Sequence, residues 1–342
     1  MSDAILTVNV GSSSLKYGLF AYGPEGRKLT SGNAPFDLKA PDFSPVMTLL
    51  RDHKDLRVRA VSHRVVHGGI HYSAPVIITD DVIRDLDRLI PLAPLHLPSE
   101  LAGIQALGDS LADATHVACF DTAFHATQDP LARRFALPER FYQEGVRRYG
   151  FHGLSYASIA RRLPGLGLEK ARVIVAHLGS GASACAISNC KSVATTMGFT
   201  ALDGLMMGTR SGSVDPGVLI YLMREHNMDA DAIDRLLSKE SGLKGVSGLS
   251  NDMRVLTESD DPHAKLAVDL FCYRAAGEMA GLIPVLGGLD SIIFTAGIGE
   301  NSDTVRKTIA DYLHWATPVI HTVETDEESM LALHAFDILE DA

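Results

Sequence analysis

Apolar residues recur along this chain in two rhythms: short runs rich in β-branched residues that end in glycine, and longer stretches with apolar residues at helical spacing. Residues 5–20 read as a strand, a Gly-Ser-Ser-Ser turn and a second strand. Residues 58–69 are valine-rich and stop at Gly68-Gly69, the pattern of a buried strand. Residues 116–120 form another such run, with Asp121 at its end. The apolar run 173–176 ends in His177-Leu178-Gly179-Ser180-Gly181, and the stretch 182–187 continues extended to a turn-like Asn189-Cys190-Lys191. Residues 291–295 are apolar again and run into Gly297-Ile298-Gly299-Glu300-Asn301. Between these runs the spacing predicts helices over 46–51, 81–90, 155–163, 218–224, 229–238, 264–281 and 305–313, and over 99–111 with Ser99 as N-cap. Residues 21–57 are otherwise mixed, 247–253 read as a polar loop, and an amphipathic stretch follows Glu328.

Strands alternating with helices predict an α/β protein. Set beside each other, Asn9-Val10-Gly11-Ser12 and His177-Leu178-Gly179-Ser180 match, flanking apolar runs included. Residues 291–301 read as a third variant, so three glycine-turn hairpins are expected. One unit repeated half a chain apart predicts two similar domains facing a cleft. Glycine lets backbone amides approach an anion, and serine adds hydroxyl donors, so these turns suit phosphate. Gly179-Ser-Gly181-Ala-Ser-Ala184 nearly fits the dinucleotide fingerprint, but that motif needs a helix directly after the glycines. A β-hairpin is expected here instead. No P-loop motif occurs.

Length and composition narrow the choices. The 342 residues allow two domains, and 46% hydrophobic with 21% charged residues is a globular balance. A net charge of −11 argues against nucleic acid as the main partner. No signal peptide or spanning segment is read, and Met279–Gly299 is broken by Pro284, Gly287, Gly288 and Asp290. Cys119, Cys185, Cys190 and Cys272 lie in apolar contexts without a C-x-x-C pair, which favours reduced thiols in the cytoplasm.

Candidate chemistry collects in a few places. Arg64 lies inside an apolar strand, and a buried arginine wants an anion. Arg210 sits in a long, nearly uncharged loop region. Asp121, at a strand's C-terminal edge, is either a catalytic-type acid or a helix N-cap. His152 stands between glycines. His63, His67 and His71 have i, i+4, i+8 spacing, but valines and paired glycines make this a strand, on which they would not converge on zinc. Anion-holding turns with two arginines suit phosphoryl transfer to an anionic acceptor, which needs positioning and charge neutralisation.

Asn9-x-Gly-Ser-Ser-Ser-Leu-Lys16, Ser62-His-Arg-Val-Val-His-Gly-Gly69, Ala93-Pro-Leu-His96, Phe120-Asp-Thr-Ala-Phe-His125, Arg147-Arg-Tyr-Gly-Phe-His-Gly153, His177-Leu-Gly-x-Gly-Ala-Ser183, Met206-Met-Gly-Thr-Arg-Ser-Gly212, Ser250-x-Asp-Met-Arg254 and Phe294-Thr-Ala-Gly-Ile-Gly-Glu-Asn-Ser302 together resemble the acetate kinase family, in order over nearly the whole chain. The resemblance implies two duplicated RNase H-like domains around a cleft, the acetate and sugar kinase, Hsp70 and actin type. It places one domain at 1–121 with about 328–342, and a nucleotide-binding domain at 122–327. It implies Mg²⁺-dependent, reversible phosphoryl transfer from ATP to acetate, giving acetyl phosphate and ADP, in a homodimer. Carried over by motif position, Arg64 and Arg210 hold the carboxylate and the transferring phosphoryl group, and His152 stabilises the transition state. Asp121 is expected to orient the acceptor or to act through the metal, and His96 to assist positioning. Val66, Leu95, Phe151 and Ala201 form the implied acyl pocket, with Arg64 and Arg210 beside it. Lys16, His177, Gly179, Ser180, Gly181, Asp252, Arg254, Gly297, Gly299, Glu300 and Asn301 are implied at the nucleotide, and Asn9 and Glu327 at Mg²⁺. Three positions depart from the family pattern: Ser180 and Leu97 replace asparagine, and Ala201 replaces proline. The chain also lacks much of the usual insertion before Val58 and most of a hairpin region before Thr325. Val66 favours acetate, while Ala201 motivates propionate or butyrate as the alternative acid; a nucleotide-binding regulator without turnover is the alternative of another class.

Overall fold

The computed structural model describes residues 2–11 and 14–341; Ser12 and Ser13, at the tip of the first expected phosphate turn, lie outside the described residues. The chain divides into two compact units: residues 1–126, 153–158 and 326–342, and residues 127–152 and 159–325. The first unit thus includes residues 122–126, 153–158 and 326–327, all expected in the nucleotide-binding domain.

The first unit opens with β1 (Ser2–Val10), β2 (Ser14–Ala21) and β3 (Lys28–Pro35), an antiparallel meander. Helix α1 (Ser44–Asp52) leads to β4 (Leu56–Val65), which pairs parallel to β1. After β5 (Val76–Ile77), α2 (Asp80–Arg88) and α3 (Leu97–Ser110) comes β6 (Thr115–Phe120), parallel to β4. The sheet order is β3-β2-β1-β4-β6-β5. β3 escaped the sequence reading because it carries no apolar run: polar and small residues suffice on an edge strand. Alternation along β1 divides the core. Ala4, Leu6, Val8 and Val10 pack with Val46, Val61 and Leu107 of the neighbouring strand and helices, while Ile5 looks the other way. Helix α3 starts at Leu97 with His96 at its N-cap, three residues before the expected N-cap Ser99; the Ser99 hydroxyl bonds back to the His96 carbonyl at 2.7 Å.

Short helix α4 (Glu139–Gln143) precedes α5 (Gly153–Arg162), which begins two residues earlier than expected. The second sheet follows with β7 (Arg172–Leu178), β8 (Ala182–Ser188) and β9 (Lys191–Thr195), another antiparallel meander. β7 and β8 pair antiparallel with Leu178 opposite Ala182, so the glycines at 179–181 open a hairpin and no Rossmann helix; in the next turn Asn189 and Cys190 both have positive φ (50° and 59°), as a type I′ hairpin turn requires. Helices α6 (Pro216–Glu225), α7 (Ala230–Lys239), α8 (Gly242–Ser247) and α9 (Met253–Thr257) lead to α10 (Pro262–Leu286). The polar loop read over 247–253 is confined to a turn between α8 and α9. Helix α10 is capped by Asp261, which accepts from the His263 amide at 2.7 Å, and it runs on through Pro284 until Gly287 ends it at φ 72°.

Strand β10 (Ser291–Thr295) pairs parallel to β7, and α11 (Ala296–Asn301) follows it directly. The third expected hairpin is therefore a strand-to-helix junction. After α12 (Asp303–Tyr312), β11 (Val319–Thr322) completes the order β11-β10-β7-β8-β9. The two sheets share one plan: an antiparallel meander whose first strand also pairs parallel to a later strand. β10 thus corresponds to β4, not to β1, which explains why its glycine turn is different. Last, α13 (Glu327–Asp341) returns to the first unit, where Met330, Leu331 and Leu333 pack on Ile5, Phe20, Ala60 and Val117.

Candidate active site

In the first unit the end of β4 carries Arg64, whose side chain is 15% exposed. Its Nε and Nη2 donate to the two carboxylate oxygens of Asp121 at 3.2 and 2.5 Å. Its Nη1 donates to Asn9 Oδ1 at 3.2 Å. A second carboxylate oxygen, Glu100 Oε1, lies 3.8 Å from Nη1. The anion sought by this buried arginine is thus supplied from within the unit. Burial works against the Arg64 charge, but Asp121 and Glu100 outweigh it and raise the guanidinium's pKa; Glu327, at the start of α13, adds to the effect.

Asp121 is fixed through its backbone. Its amide donates to the Val65 carbonyl at 3.0 Å, and its own carbonyl accepts from Gly153 N–H at 2.9 Å. A Cβ at Gly153 would sit 2.1 Å from that carbonyl oxygen, so only glycine fits. Val66 is buried and its amide donates to Glu100 Oε2 at 3.0 Å. Leu95 is 41% exposed, in the turn before α3. Lys16 is exposed on β2, opposite Asn9 in the register.

The second unit holds a different group. His152 is a left-handed residue (φ 58°) at the N-cap of α5, a conformation that non-glycine residues occupy at a cost. Its ring stacks on His177 with centroids 4.2 Å apart, and its Nδ1 shares a 2.8 Å hydrogen bond with Ser183 Oγ. Nδ1 is engaged with Ser183, and Nε2 lies on the side of the ring that faces Gly181. A Cβ built on Gly181 would lie 3.1 Å from His152 Nε2 and 3.5 Å from Arg210 Nη2, so these three groups converge. Arg210 Nη1 donates to the Ala201 carbonyl at 2.7 Å. Ala201 therefore acts here through its backbone. The arginine loop leans on Gly242, whose Cβ would meet the Met207 carbonyl at 2.2 Å. Phe151 is buried.

A cavity of about 910 Å³ opens in this unit against Gly179, Ser180, Asp252, Arg254, Gly297 and Asn301. That volume suits a nucleotide-sized ligand. Asp252 caps α9 by accepting from the Arg254 amide at 2.9 Å and pairs with the Arg254 guanidinium at 2.8 Å. That side-chain bond holds the Asp252 carboxyl below its usual range. Gly299 and Glu300 do not line the cavity. Glu300 Oε1 instead accepts from the amides of Ala296 (2.7 Å) and Thr325 (3.2 Å), stapling the junction after β10, where Ala296 has φ 66°.

Two participants went unread in the sequence. Ser183 is buried in β8 and gives no signal there beyond its motif. Glu100 is a buried acid between Leu97, Gly103 and Ile104 on the apolar stripe of α3, a misplaced charge that was legible. His63, from the histidine triplet, faces His116 across the sheet with Nε2 and Nδ1 2.9 Å apart.

Comparison with known proteins agrees with this geometry. The acetokinase family model matches residues 43–332. An acetate kinase from Methylocella silvestris is 44% identical over 399 aligned positions, covering 99% of each chain; the alignment is longer than the 342 residues of this chain, which is gapped against that one. The crystal structure of Porphyromonas gingivalis acetate kinase superimposes with a TM-score of 0.87 at 34% identity, covering 99% of this chain and 100% of that one. A propionate kinase from Francisella tularensis gives 0.87 at 33%, covering 98% and 99%. The architecture extends to sugar kinases as fold alone. On the extent of these matches, the chain belongs to the acetokinase family, kinases that phosphorylate a carboxylate.

Proposed function

We propose that this protein is an acetate kinase that transfers the γ-phosphoryl group of ATP in line to acetate, giving acetyl phosphate and ADP, with Mg²⁺. The observation that carries this reading is the convergence of His152 Nε2, Arg210 Nη2 and Gly181, in the unit whose nucleotide-sized cavity opens on Gly179 and Ser180. An acetate oxygen attacks the γ-phosphorus as the bond to the ADP oxygen breaks. Acetate is ionised at neutral pH, so no strong base is needed and Asp121 serves to hold Arg64. Arg64 grips the acceptor carboxylate beside Val66, with Leu95, Phe151 and Ala201 as the rest of the acyl wall and His96 assisting position. Arg210 and His152 meet the charge that spreads over the equatorial oxygens. The turn at His177 to Gly181, with Lys16 from the first hairpin, holds the nucleotide phosphates; Asp252, Arg254 and residues 297–301 hold or shape the rest.

The residues suit magnesium by the chemistry of the donor set. Asn9 Oδ1 keeps a lone pair beyond its bond to Arg64, and Glu327 brings a hard carboxylate to the same unit. Mg²⁺ is usually bound by one or two carboxylates plus phosphate and water, so no cluster of three acids is required. Bound there, the ion would neutralise phosphate charge.

The protein is proposed to work as a homodimer in the cytoplasm, away from nucleic acid and membrane. Helix α6 leaves Val218, Ile220, Tyr221 and Met223 exposed and buries no residue of its own, the mark of a partner surface. Cys119, Cys185 and Cys272 are buried and outside any disulfide, and among the described residues no helix is long and apolar enough to cross a membrane. The test is acid-dependent ADP formation from Mg-ATP with acetate, propionate and butyrate. Turnover with acetate the best acid by kcat/KM is expected. Nucleotide binding without turnover on any of the three would overturn the reading.

A further inference from the structure

Glu100 is a buried carboxylate with no part in the reaction just described. Its Oε2 accepts the Val66 amide at 3.0 Å, and its Oε1 faces Arg64 Nη1 at 3.8 Å without a hydrogen bond among the described residues. Val66 belongs to the proposed acyl wall and Arg64 is the proposed carboxylate grip. One side chain from α3 therefore spans both elements of acid recognition. We propose that Glu100 is a positioning and charge-setting residue for the acid substrate: it ties the backbone of Val66 to the guanidinium of Arg64, and its own charge sets how strongly that guanidinium attracts a carboxylate. This inference rests on the kinase reading above.

The electrostatics follow from the neighbours. Arg64 on β4 and Asp121 at the end of β6 are the charged groups that bear on Glu100. Arg64 and Asp121 already form a neutral pair. With Glu100 protonated, an incoming carboxylate meets an arginine balanced by one acid. With Glu100 ionised, it meets one balanced by two, and like charges in a buried site repel. Burial pushes the Glu100 carboxyl up to about 8, against the pull of Arg64 and the Val66 amide, so its charge changes within an assayable range. A raised pKa means the proton is held at neutral pH and lost as pH rises. Acid binding should accordingly weaken on the alkaline side.

The experiment measures KM for acetate and kcat from about pH 6 to about pH 9.5 in wild type, Glu100→Gln and Glu100→Ala, with ADP binding and thermal melting as fold controls. In wild type KM is expected to rise roughly tenfold through the alkaline range while kcat changes less. Glu100→Gln keeps an oxygen for the Val66 amide and cannot ionise, so its KM should stay flat over that range. Glu100→Ala removes the tie and should raise KM at every pH. Superimposable KM profiles for wild type and Glu100→Gln, with ADP binding intact, would overturn the inference while leaving the kinase reading standing. A wild type without acid-dependent turnover overturns both. If the alanine variant does not fold, the glutamine profile still decides.

Discussion

Gly153→Ala tests how the proposed site is held together. The added Cβ would lie 2.1 Å from the Asp121 carbonyl oxygen and 3.0 Å from its carbon. Contacts under 3.0 Å are essentially never seen for real Cβ atoms, so the two segments must part by roughly 1 Å. The Asp121 amide is tied to Val65 at 3.0 Å, so the shift is passed to the carboxylate that orients Arg64. A misplacement of about 1 Å costs on the order of 10²-fold in rate. Overpacking of this kind costs about 1–3 kcal/mol of stability. For a domain of this size that lowers Tm by roughly 3–10 °C. Gly108→Ala is the matched control: among the described residues none of the atoms that would hinder a Cβ there lies within 4 Å, and it sits inside α3. It should raise stability by about 0.5–1 kcal/mol and leave activity alone. The assay is kcat/KM for acetate at a temperature below the melting points of both variants, with Tm read in parallel. A Gly153→Ala enzyme with wild-type kcat/KM and Tm would refute the claim that this contact positions Asp121.

Other outcomes are expected from the same geometry. Arg210→Ala should lower turnover by several orders of magnitude while ADP binding survives, which isothermal titration with ADP checks. Ser183→Ala removes the 2.8 Å bond to His152 Nδ1 and should lower kcat roughly tenfold with KM for ATP little changed; an unchanged kcat would show that this bond is not what orients the ring. Tyr221→Glu on the exposed face of α6 should convert the proposed dimer to monomer on light scattering without lowering helix content. The Arg172 side-chain bond holds the Asp290 carboxyl down to about 2. A depressed carboxyl stabilises the fold above its unfolded pKa, and the contribution is lost as pH falls through the folded value. Asp290→Asn should therefore melt a few degrees lower at neutral pH, a small effect because the pair is part exposed, and the gap should close toward about pH 2.

The duplicated plan was legible because it rests on periodicity and glycine. Both hairpins, the two arginines and His152 could be placed from residue type and spacing. The third glycine turn misled, since a glycine run after an apolar strand has the same composition whether the chain turns back or enters a helix. What separates β10 from β1 is pairing order in the sheet, which local sequence does not carry. The edge strand β3 was invisible because half-solvated polar residues need no apolar signature. Glu300 illustrates another limit. Its motif placed it at the nucleotide, but its carboxylate is committed to the amides of Ala296 and Thr325, a use that depends on two segments far apart in the chain.

The return of α13 to the first unit has a consequence for biosynthesis. Ile5, Phe20, Ala60 and Val117 make one face of a sheet whose strands are all made by residue 120, yet Met330, Leu331 and Leu333 cover that face only when the last helix has been made. At ordinary translation speed the wait is on the order of ten to forty seconds. Throughout it the nascent first unit shows the ribosome surface and its chaperones an apolar sheet covered only in part, by Leu154 and Ala157 of α5, while residues 159–325 can complete their own core. The segment synthesised first is thus the one that matures last.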